Sequence, residues 1–266
     1  MARRRLHERR GWAFGVAVAI LKPTLLATTR RDWSGGEHLP ATGGGVVVAN
    51  HLSHVDPLTL AHFVYDHGRL PRYLAKAEVF DLPVVGGLIR ATGQIPVARL
   101  TAGAAGAFDA AVEEVRRGGL VIVYPEGTIT RDPDLWPMVG KTGAARIALA
   151  TGCPVIPVAQ WGVQELLAPY GRRVHLLPRK TMRLRAGPPV DLSAYEGVDL
   201  TPEVLAAATH DLMWALTRQL ADLRGEDPPR ELFDPRRAGV RPIGNPHPRP
   251  HDPDAGDGPN TQRSAE

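Results

Sequence analysis

The sequence predicts an α/β fold with a mostly parallel central sheet and helices on both faces. Apolar, β-branched runs such as residues 46–49 and 120–124 alternate along the chain with segments of helical character. Strands that are apolar throughout, rather than alternately apolar and polar, are typical of a sheet covered on both faces. The chain has 266 residues, 43% of them hydrophobic, which is enough for one large domain with appendages.

Residues 1–32 are expected to form a membrane-associated helical segment. Five arginines lie within the first ten residues, and an apolar run from Trp12 to Leu21 follows before Lys22 and Pro23 interrupt it. A secretory signal begins in the same way, but no small-residue cleavage pattern ends this run. The run is also shorter than the roughly 20 residues that a spanning helix needs. We therefore expect an interfacial helix, or a helix pair broken near Pro23, on an anionic leaflet; the alternative is a helix packed on the domain.

Residues 33–224 are expected to form the α/β domain. A glycine-rich loop over residues 30–45 leads into its first strand. Glycines end two helices, at Gly118 and at Gly152, and Thr201 caps a long final helix that has leucines at helical spacing. The predicted strands lie at 46–49, 72–75, 95–98, 120–124, 155–159 and 182–185. The predicted helices lie at 57–66, at 78–91 with an interruption at 83–87, at 102–117, at 141–150 and after Thr201.

Residues 225–266 are expected to form a disordered or loosely draped tail. Nine prolines lie between Pro228 and Pro259, among charged residues, glycine and histidine, while large apolar residues are sparse. A segment of that composition cannot bury enough apolar surface to offset the entropy lost on ordering. The tail is therefore predicted to have no core of its own.

Charge and cysteine content indicate which cellular compartment and which classes of partner the chain suits. The single cysteine, Cys153, excludes an internal disulfide framework and suits a reducing compartment. The net charge of +4 and the pI near 9.5 favour anionic partners such as phosphates and phospholipid head groups. The sequence has no zinc-finger spacing, RNP-type aromatic motif or heptad array, so no nucleic-acid partner is expected.

A histidine and an aspartate lie where the first predicted strand ends. Residues 46–57 read Val-Val-Val-Ala-Asn-His-Leu-Ser-His-Val-Asp-Pro, so the strand stops at a polar cluster and Asp56 is the expected N-cap of a helix. Open α/β sheets bind substrates at the carboxyl ends of their strands, and His51 beside Asp56 can take a proton from a hydroxyl. The spacing alone is weak evidence, because His247 and Asp252 repeat it within the proline-rich tail.

Four sequence blocks follow one another within the predicted domain. They are Asn50-His51-Leu52-Ser53-His54-Val55-Asp56, Gly93-Gln94-Ile95-Pro96-Val97-Ala98-Arg99, Tyr124-Pro125-Glu126-Gly127-Thr128 and Cys153-Pro154-Val155-Ile156-Pro157-Val158. In this order they resemble the glycerolipid acyltransferase family that includes the 1-acylglycerol-3-phosphate acyltransferases. The resemblance covers residues 35–187, and the ordered set is more specific than any single block.

The resemblance implies an O-acyltransferase that moves a fatty acyl group from acyl-CoA or acyl-carrier protein to the free hydroxyl of lysophosphatidate, giving phosphatidate in phospholipid biosynthesis. His51 would act as general base, and Asp56 would orient the imidazole and stabilise the imidazolium that forms. Neither an acyl-enzyme nor a metal or other cofactor is required, because the base acts directly on the acceptor hydroxyl. The expected location is the cytoplasmic face of the cell membrane, as a peripheral or monotopic protein.

The second and third blocks imply substrate-binding residues. Arg99 offers a guanidinium fork that matches a phosphate, with a surface salt bridge as the plainer interpretation. Gly127 would let the backbone approach the ligand, and Thr128 would donate to phosphate. Glu126 would bind a glycerol hydroxyl or position Arg99. The sequence Pro-Glu-Gly also suits a tight turn, which is the plainer interpretation of this block.

One position departs from the family pattern, because Ile129 stands where an arginine often follows the Pro-Glu-Gly-Thr sequence. Arg131 is the expected substitute for that arginine, and Lys141 is a second candidate for binding phosphate or CoA. The departure leaves the acceptor open, with glycerol-3-phosphate, another lysophospholipid or a glycolipid precursor as alternatives.

Two other classes of function use the same parts of the chain. A metal-dependent hydrolase would draw its ligands from His51, His54 and Asp56, but their spacing matches neither a His-x-His-x-Asp-His nor a His-Glu-x-x-His pattern. A non-enzymatic membrane-binding module would need only the basic N-terminus and the basic region at 172–185. The ordered set of four blocks favours the acyltransferase over both.

Overall fold

The structure, a computed structural model, describes residues 4–97 and 103–241, and a seven-stranded sheet forms the centre of this part of the chain. The strands are β1 (Thr29–Ser34), β2 (Gly45–Ala49), β3 (Pro71–Lys76), β4 (Ile95–Val97), β5 (Leu120–Val123), β6 (Val155–Trp161) and β7 (Lys180–Ala186). The α-helices are α1 (Trp12–Thr28), α2 (Asp56–Asp66), α3 (Val85–Ala91), α4 (Gly103–Arg116), α5 (Gly143–Thr151), α6 (Val163–Leu166) and α7 (Pro202–Arg224).

The strand order is β1-β7-β6-β2-β5-β3-β4, and every neighbouring pair is parallel except β6 and β7. The predicted α/β fold with a mostly parallel sheet is therefore confirmed. β2 lies at the centre, where Val48 pairs with Val123 of β5 and with Pro157 of β6. This register brings the carboxyl ends of β2 and β5, and the residues that follow them, to one edge of the sheet.

Successive residues of β2 point into two different apolar layers. Val47 and Ala49 pack with residues of α2 such as Phe63, whereas Val46 and Val48 pack with residues of α4, α5 and α7. Burying an apolar side chain of this size contributes roughly 1.5–3 kcal/mol, so the two layers hold helices firmly on both faces. The apolar, non-alternating sequence of the strand follows directly from this double burial.

Two segments differ from the predicted element pattern. Residues 30–34, expected to belong to a loop, form β1 together with Thr29, and this strand pairs in parallel with β7 along its whole length. The predicted boundary between residues 32 and 33 therefore falls inside a strand. β1 lies at the sheet edge and has exposed charged residues, so its sequence contains no apolar run. The predicted helix at 78–91 is split near the expected interruption, but its first part, Ala77–Asp81, is a 3₁₀ turn and only its second part forms an α-helix, α3.

Helix α1 is continuous through Pro23, so of the two expected forms, a single helix and a pair broken near Pro23, the structure has the single helix. Proline has no N–H to donate to the carbonyl of Ala19, but both residues lie on the exposed side of the helix, where water can bond that carbonyl. None of the helices within the described ranges combines the length and the apolarity needed to cross a bilayer.

Charged side chains hold α1 on the domain. Asp66, at the end of α2, accepts a bond from Lys22 of α1 and another, at 3.2 Å, from Arg31 of β1. His62, one turn earlier, places Nε2 at 3.4 Å from the same carboxylate. Burial by itself would raise the pKa of Asp66, but the bonds from His62 and Lys22 outweigh it and hold that pKa well below its usual range. The ionised carboxylate therefore ties three elements together.

The segment after α7 contacts the domain around Phe233 and Pro235. Val139 donates its N–H to the carbonyl oxygen of Phe233 at 3.0 Å, and Pro235 is buried. A few anchoring residues are enough to dock a proline-rich segment on a surface that the domain already provides. The rest of the tail, residues 242–266, lies outside the described residues.

Candidate active site

His51 and Asp56 form a hydrogen-bonded pair directly after β2. His51 Nδ1 lies 2.8 Å from Asp56 Oδ2, and the imidazole is 16% exposed whereas the carboxylate is fully buried. The same carboxylate oxygen accepts the backbone N–H groups of Leu52 and Ser53, the latter at 2.8 Å. The two side chains singled out by the sequence therefore touch, and the imidazole keeps one side open to solvent.

Asp56 is the first residue of α2 and not the N-cap that the sequence predicts. The N-cap residue is Val55, and the Asp56 carboxylate turns back toward the preceding loop. Burial raises the pKa of Asp56, and the hydrogen bonds from His51, Ser53 and Leu52 oppose that rise. An ionised Asp56 draws the imidazole proton to Nδ1 and leaves Nε2 as the free acceptor, which is the arrangement that a general base requires.

Two tyrosines that sequence reasoning missed support the imidazole. The ring of Tyr124, the residue after β5, stacks on His51 with centroids 4.4 Å apart and planes inclined by 24°. Tyr73 stacks in turn on Tyr124 at 6.2 Å and donates its hydroxyl to the carbonyl of Pro57 at 2.8 Å. Burial raises the pKa of both phenols well above the usual value, so both are neutral. Strand pairing could have indicated Tyr124, because two neighbouring parallel strands place the residues that follow their ends side by side.

Glu126 is buried and turned into the protein. It is 3% exposed; Oε1 accepts the backbone N–H of His51 at 3.0 Å, and Oε2 accepts the N–H of Met138 at 3.1 Å. Burial raises the pKa of Glu126 to about 8, against the opposing effect of these two bonds. The expected contact of Glu126 with a glycerol hydroxyl is therefore corrected to a bridge between two backbone segments. Arg99, its other expected partner, lies outside the described residues.

Gly127 and Lys141 lie against each other beside this bridge. Gly127 has a φ of +69°, which favours glycine, and a Cβ at this position would be 2.6 Å from the Nζ atom of Lys141. The backbone N–H of Lys141 donates to Pro125 at 2.8 Å, and the Lys141 side chain is exposed. The glycine therefore makes room for a lysine side chain, and the ammonium group lies at the edge of the site.

Thr128 and Arg131 are both held by Tyr170, a residue outside the four sequence blocks. The Tyr170 hydroxyl lies 3.4 Å from Thr128 Oγ1 and donates to the carbonyl of Ile129 at 2.6 Å. The Arg131 guanidinium lies 4.5 Å from the centroid of the Tyr170 ring. The Ile129 side chain is 2% exposed, so position 129 faces the core in this chain. No sequence signal pointed to Tyr170, because it lies in a patternless connection.

A second bridge joins the ends of β2 and β6. Asn50 Nδ2 donates to the carbonyl of Gln160 at 3.0 Å, and its Oδ1 accepts the Gln160 N–H at 2.8 Å. Gln160 Nε2 returns a bond to the Asn50 carbonyl at 2.8 Å. These three buried bonds fix the backbone next to His51 from the side opposite Glu126.

Residues 4–97 and 103–241 contain no group of three or more His, Cys, Asp or Glu side chains that could hold a metal ion. His54, the third member of the alternative metal set, is exposed, whereas Asp56 points into the protein. Partial desolvation of its imidazole by the surrounding chain, together with the neighbouring charge of His51, lowers the pKa of His54.

Comparison with known proteins gives consistent matches. The sequence profile of the family described as Acyltransferase matches residues 30–161. The chain is 31% identical over 191 residues to a 1-acyl-sn-glycerol-3-phosphate acyltransferase of Salmonella typhimurium, covering 71% of this chain and 72% of that protein. It is also 31% identical over 140 residues to the chloroplastic 1-acyl-sn-glycerol-3-phosphate acyltransferase BAT2 of Brassica napus, covering 52% of this chain but only 39% of that longer relative.

A solved structure matches the fold over most of the chain. The crystal structure of the 1-acyl-sn-glycerophosphate (LPA) acyltransferase PlsC from Thermotoga maritima superposes with a TM-score of 0.59 at 25% sequence identity. The match covers 80% of each chain, so it extends well beyond the residues of the family profile.

Proposed function

This chain belongs to the acyltransferase family, and on that basis we propose that it transfers a fatty acyl group from a thioester donor to the free hydroxyl of lysophosphatidate, giving phosphatidate. The donor is acyl-CoA or acyl-carrier protein. The observation that carries the proposal is the pair His51 and Asp56, in which a buried carboxylate lies 2.8 Å from a partly exposed imidazole.

The reaction follows from the orientation of the imidazole. With Nδ1 facing Asp56, His51 Nε2 takes the proton from the acceptor hydroxyl as its oxygen attacks the thioester carbonyl. The resulting imidazolium is stabilised by the Asp56 carboxylate. The tetrahedral intermediate then expels the thiolate, which receives the proton held on Nε2, so that the ester and the free thiol are the products.

Three side chains near the base are proposed to bind the acceptor phosphate. Arg131 and Lys141 are cationic, and Thr128 can donate a hydroxyl hydrogen bond, which together suit a phosphomonoester dianion. Arg131 rests on the Tyr170 ring, which limits the orientations of its guanidinium group. Arg99 remains part of the proposal on the family resemblance alone.

We propose that the enzyme works as a peripheral protein on the cytoplasmic face of the cell membrane, and helix α1 supports this location. Three apolar side chains at helical spacing lie on one face of α1 and are exposed: Trp12 by 76%, Val16 by 42% and Ile20 by 59%. The single charged residue of α1, Lys22, is turned inward to Asp66. A helix that buries its charge and exposes its apolar side chains suits the boundary of a bilayer better than water.

The proposal is tested by assaying the purified protein with labelled acyl-CoA or acyl-carrier protein and with lysophosphatidate, glycerol-3-phosphate and other lysophospholipids. His51→Ala should lower kcat by at least about a thousandfold, because it removes the base. His54→Ala should retain most of the activity, because its imidazole is exposed. Acylation of a different acceptor would support the proposed acyl transfer and replace lysophosphatidate as the substrate. Absence of acyl transfer with every donor and acceptor would contradict the proposal.

A further inference from the structure

The connection between α6 and β7 ends in an exposed tip that combines apolar and basic side chains, and we define this tip as residues 172–178. Val174 is 54% exposed, Leu176 47% and Leu177 82%. Arg172 and Arg173, immediately before them, are also exposed. Large apolar side chains grouped on a surface loop beside arginines are typical of an interaction site and not of a solvated turn.

The tip is anchored on both sides, so the exposure of its apolar residues is a property of the fold. On one side, the Tyr170 hydroxyl donates to the Ile129 carbonyl at 2.6 Å. On the other side, Arg179 donates to the carbonyl oxygens of Leu26 and Thr29, each at 2.6 Å. His175 within the tip donates its N–H to Leu166 at 2.8 Å.

The bonds from Arg179 also place the tip beside the end of α1. Leu26, whose carbonyl accepts one of them, has a side chain that is 37% exposed. It lies on the same uncharged face as Trp12, Val16 and Ile20, because all four fall within an arc of about 120° at 100° per residue. The tip therefore continues the exposed apolar surface of α1 and adds positive charge at its end.

We propose that the tip is a second lipid-contacting element, and that it inserts Val174, Leu176 and Leu177 into a leaflet rich in anionic phospholipid while Arg172 and Arg173 bind the head groups. The charges indicate an anionic bilayer as the partner of the tip, since arginines beside apolar side chains match the surface of such a bilayer. This inference rests on the proposed membrane location of the enzyme. It also assigns lipid contact to the connection whose Tyr170 holds the loop over residues 128–131.

The test compares binding to vesicles of phosphatidylglycerol and phosphatidylcholine by co-sedimentation. The triple variant Val174→Ser, Leu176→Ser, Leu177→Ser should bind at least about tenfold more weakly than the wild type. The matched control is Val198→Ser, Leu200→Ser, which removes apolar side chains of similar exposure (46% and 41%) from another surface loop and should bind as the wild type does. Retained acyl transfer between water-soluble short-chain substrates shows that the triple variant is folded.

A fluorescence measurement gives a second readout. Leu177→Cys in a Cys153→Ser background, labelled with an environment-sensitive fluorophore, should show a blue shift on these vesicles and a smaller one on phosphatidylcholine alone. Unchanged vesicle binding by the triple variant, or no blue shift, would overturn the role of the tip. Vesicle binding by the wild type would in that case still support the proposed membrane location. If the wild type fails to bind vesicles, the membrane location itself is wrong. Loss of a dimer in the triple variant, seen by sedimentation without lipid, would identify a second copy of the chain as the occupant.

Discussion

His51 is held by three contacts that act on different parts of the residue. Asp56 fixes which ring nitrogen carries the proton, the ring of Tyr124 fixes the plane of the imidazole, and Glu126 fixes the main chain through its bond to the His51 N–H. The proposed base is therefore oriented before any substrate arrives.

Glu126 makes the stability of the fold depend on pH. Its pKa is about 8 in the folded protein, against 4.5 as the reference value, so between these values the folded state holds a proton that the unfolded chain has released. The free energy of unfolding should therefore fall as pH rises from about 5 to 8.5, by on the order of 4 kcal/mol from this group. Glu126→Gln removes this titratable group. Urea unfolding at pH 5 and at pH 8.5 should therefore show a smaller fall in the free energy of unfolding for the variant than for the wild type.

The glutamine variant should also be less stable than the wild type at pH 5. Its amide nitrogen cannot accept a hydrogen bond, so one of the two backbone N–H groups of His51 and Met138 loses its partner. Glu165→Gln, a change at an exposed glutamate, serves as the control and should leave the pH dependence as it is. An identical fall in stability for Glu126→Gln and the wild type would show that Glu126 is ionised throughout.

At the scale of elements, the ion pairs that attach α1 to the domain meet at one carboxylate. Asp66 is 9% exposed and pairs with Lys22, whose side chain is 13% exposed, as well as with Arg31. Removing the carboxylate leaves a largely buried ammonium group without its partner. The basic residues before α1 are partly engaged as well, since Arg4 donates to the Leu39 carbonyl at 3.1 Å.

Asp66→Asn should lower the free energy of unfolding by about 3 kcal/mol at pH 7. Because the pKa of Asp66 is depressed in the folded state, this contribution is present above the usual aspartate pKa of about 4 and is lost as pH falls further. Limited proteolysis should cut the variant sooner within α1. Asp81→Asn, at an ion pair whose partners are 78% and 58% exposed, is the matched control and should change little. Equal proteolysis rates for all three proteins would remove Asp66 as the anchor of α1.

Periodicity and apolar runs predict the buried strands of this chain but not the exposed edge strand β1. β2 and β5 are found because both faces of each strand are buried, which leaves no room for polar residues. β1 does not meet the same criterion, because it pairs with β7 through its main chain while its charged side chains, Arg30, Arg31 and Asp32, are exposed. Pro23 predicts a helix break only where the freed carbonyl would be buried, and exposure is not readable from sequence.

For the molecule as a whole, a series of contacts links the C-terminal segment to the base. The strap, residues 136–141, carries Met138, which donates to Glu126, and Glu126 accepts from His51. The next residue, Val139, is held by the carbonyl of Phe233. Phe233 lies outside the matched family profile, which ends at residue 161.

Truncation after Gly225 should therefore impair both stability and catalysis. Loss of the Phe233 carbonyl and of the apolar contacts around it should cost about 2 kcal/mol and lower Tm by roughly 4–8 °C. The loosened strap should lower kcat by roughly 3- to 10-fold without a comparable change in KM. Truncation after Arg241, which keeps every contact described above, is the control. Full activity and an unchanged Tm after removal of residues 226–241 would show that the strap needs no support from this segment.

The candidate site illustrates what a sequence can predict at this scale. His51 and Asp56 were predictable because five residues at the end of a strand cannot separate far. Glu126 lies 75 positions from His51, and the sequence predicted its presence near the site but not its inward orientation. Tyr170 reaches Ile129 across 41 positions through a connection without periodicity, so only the folded chain identifies it.

The link between Phe233 and the strap has a consequence for the order of protein synthesis. The base is made early, yet the last bond that secures its surroundings comes from a residue near the other end of the described chain. A ribosome-bound chain that has completed the whole sheet still lacks the Phe233 carbonyl. The nascent protein can therefore bury most of its core while the surroundings of His51 are still incomplete, and it reaches full stability and activity only after residue 233 has left the ribosome.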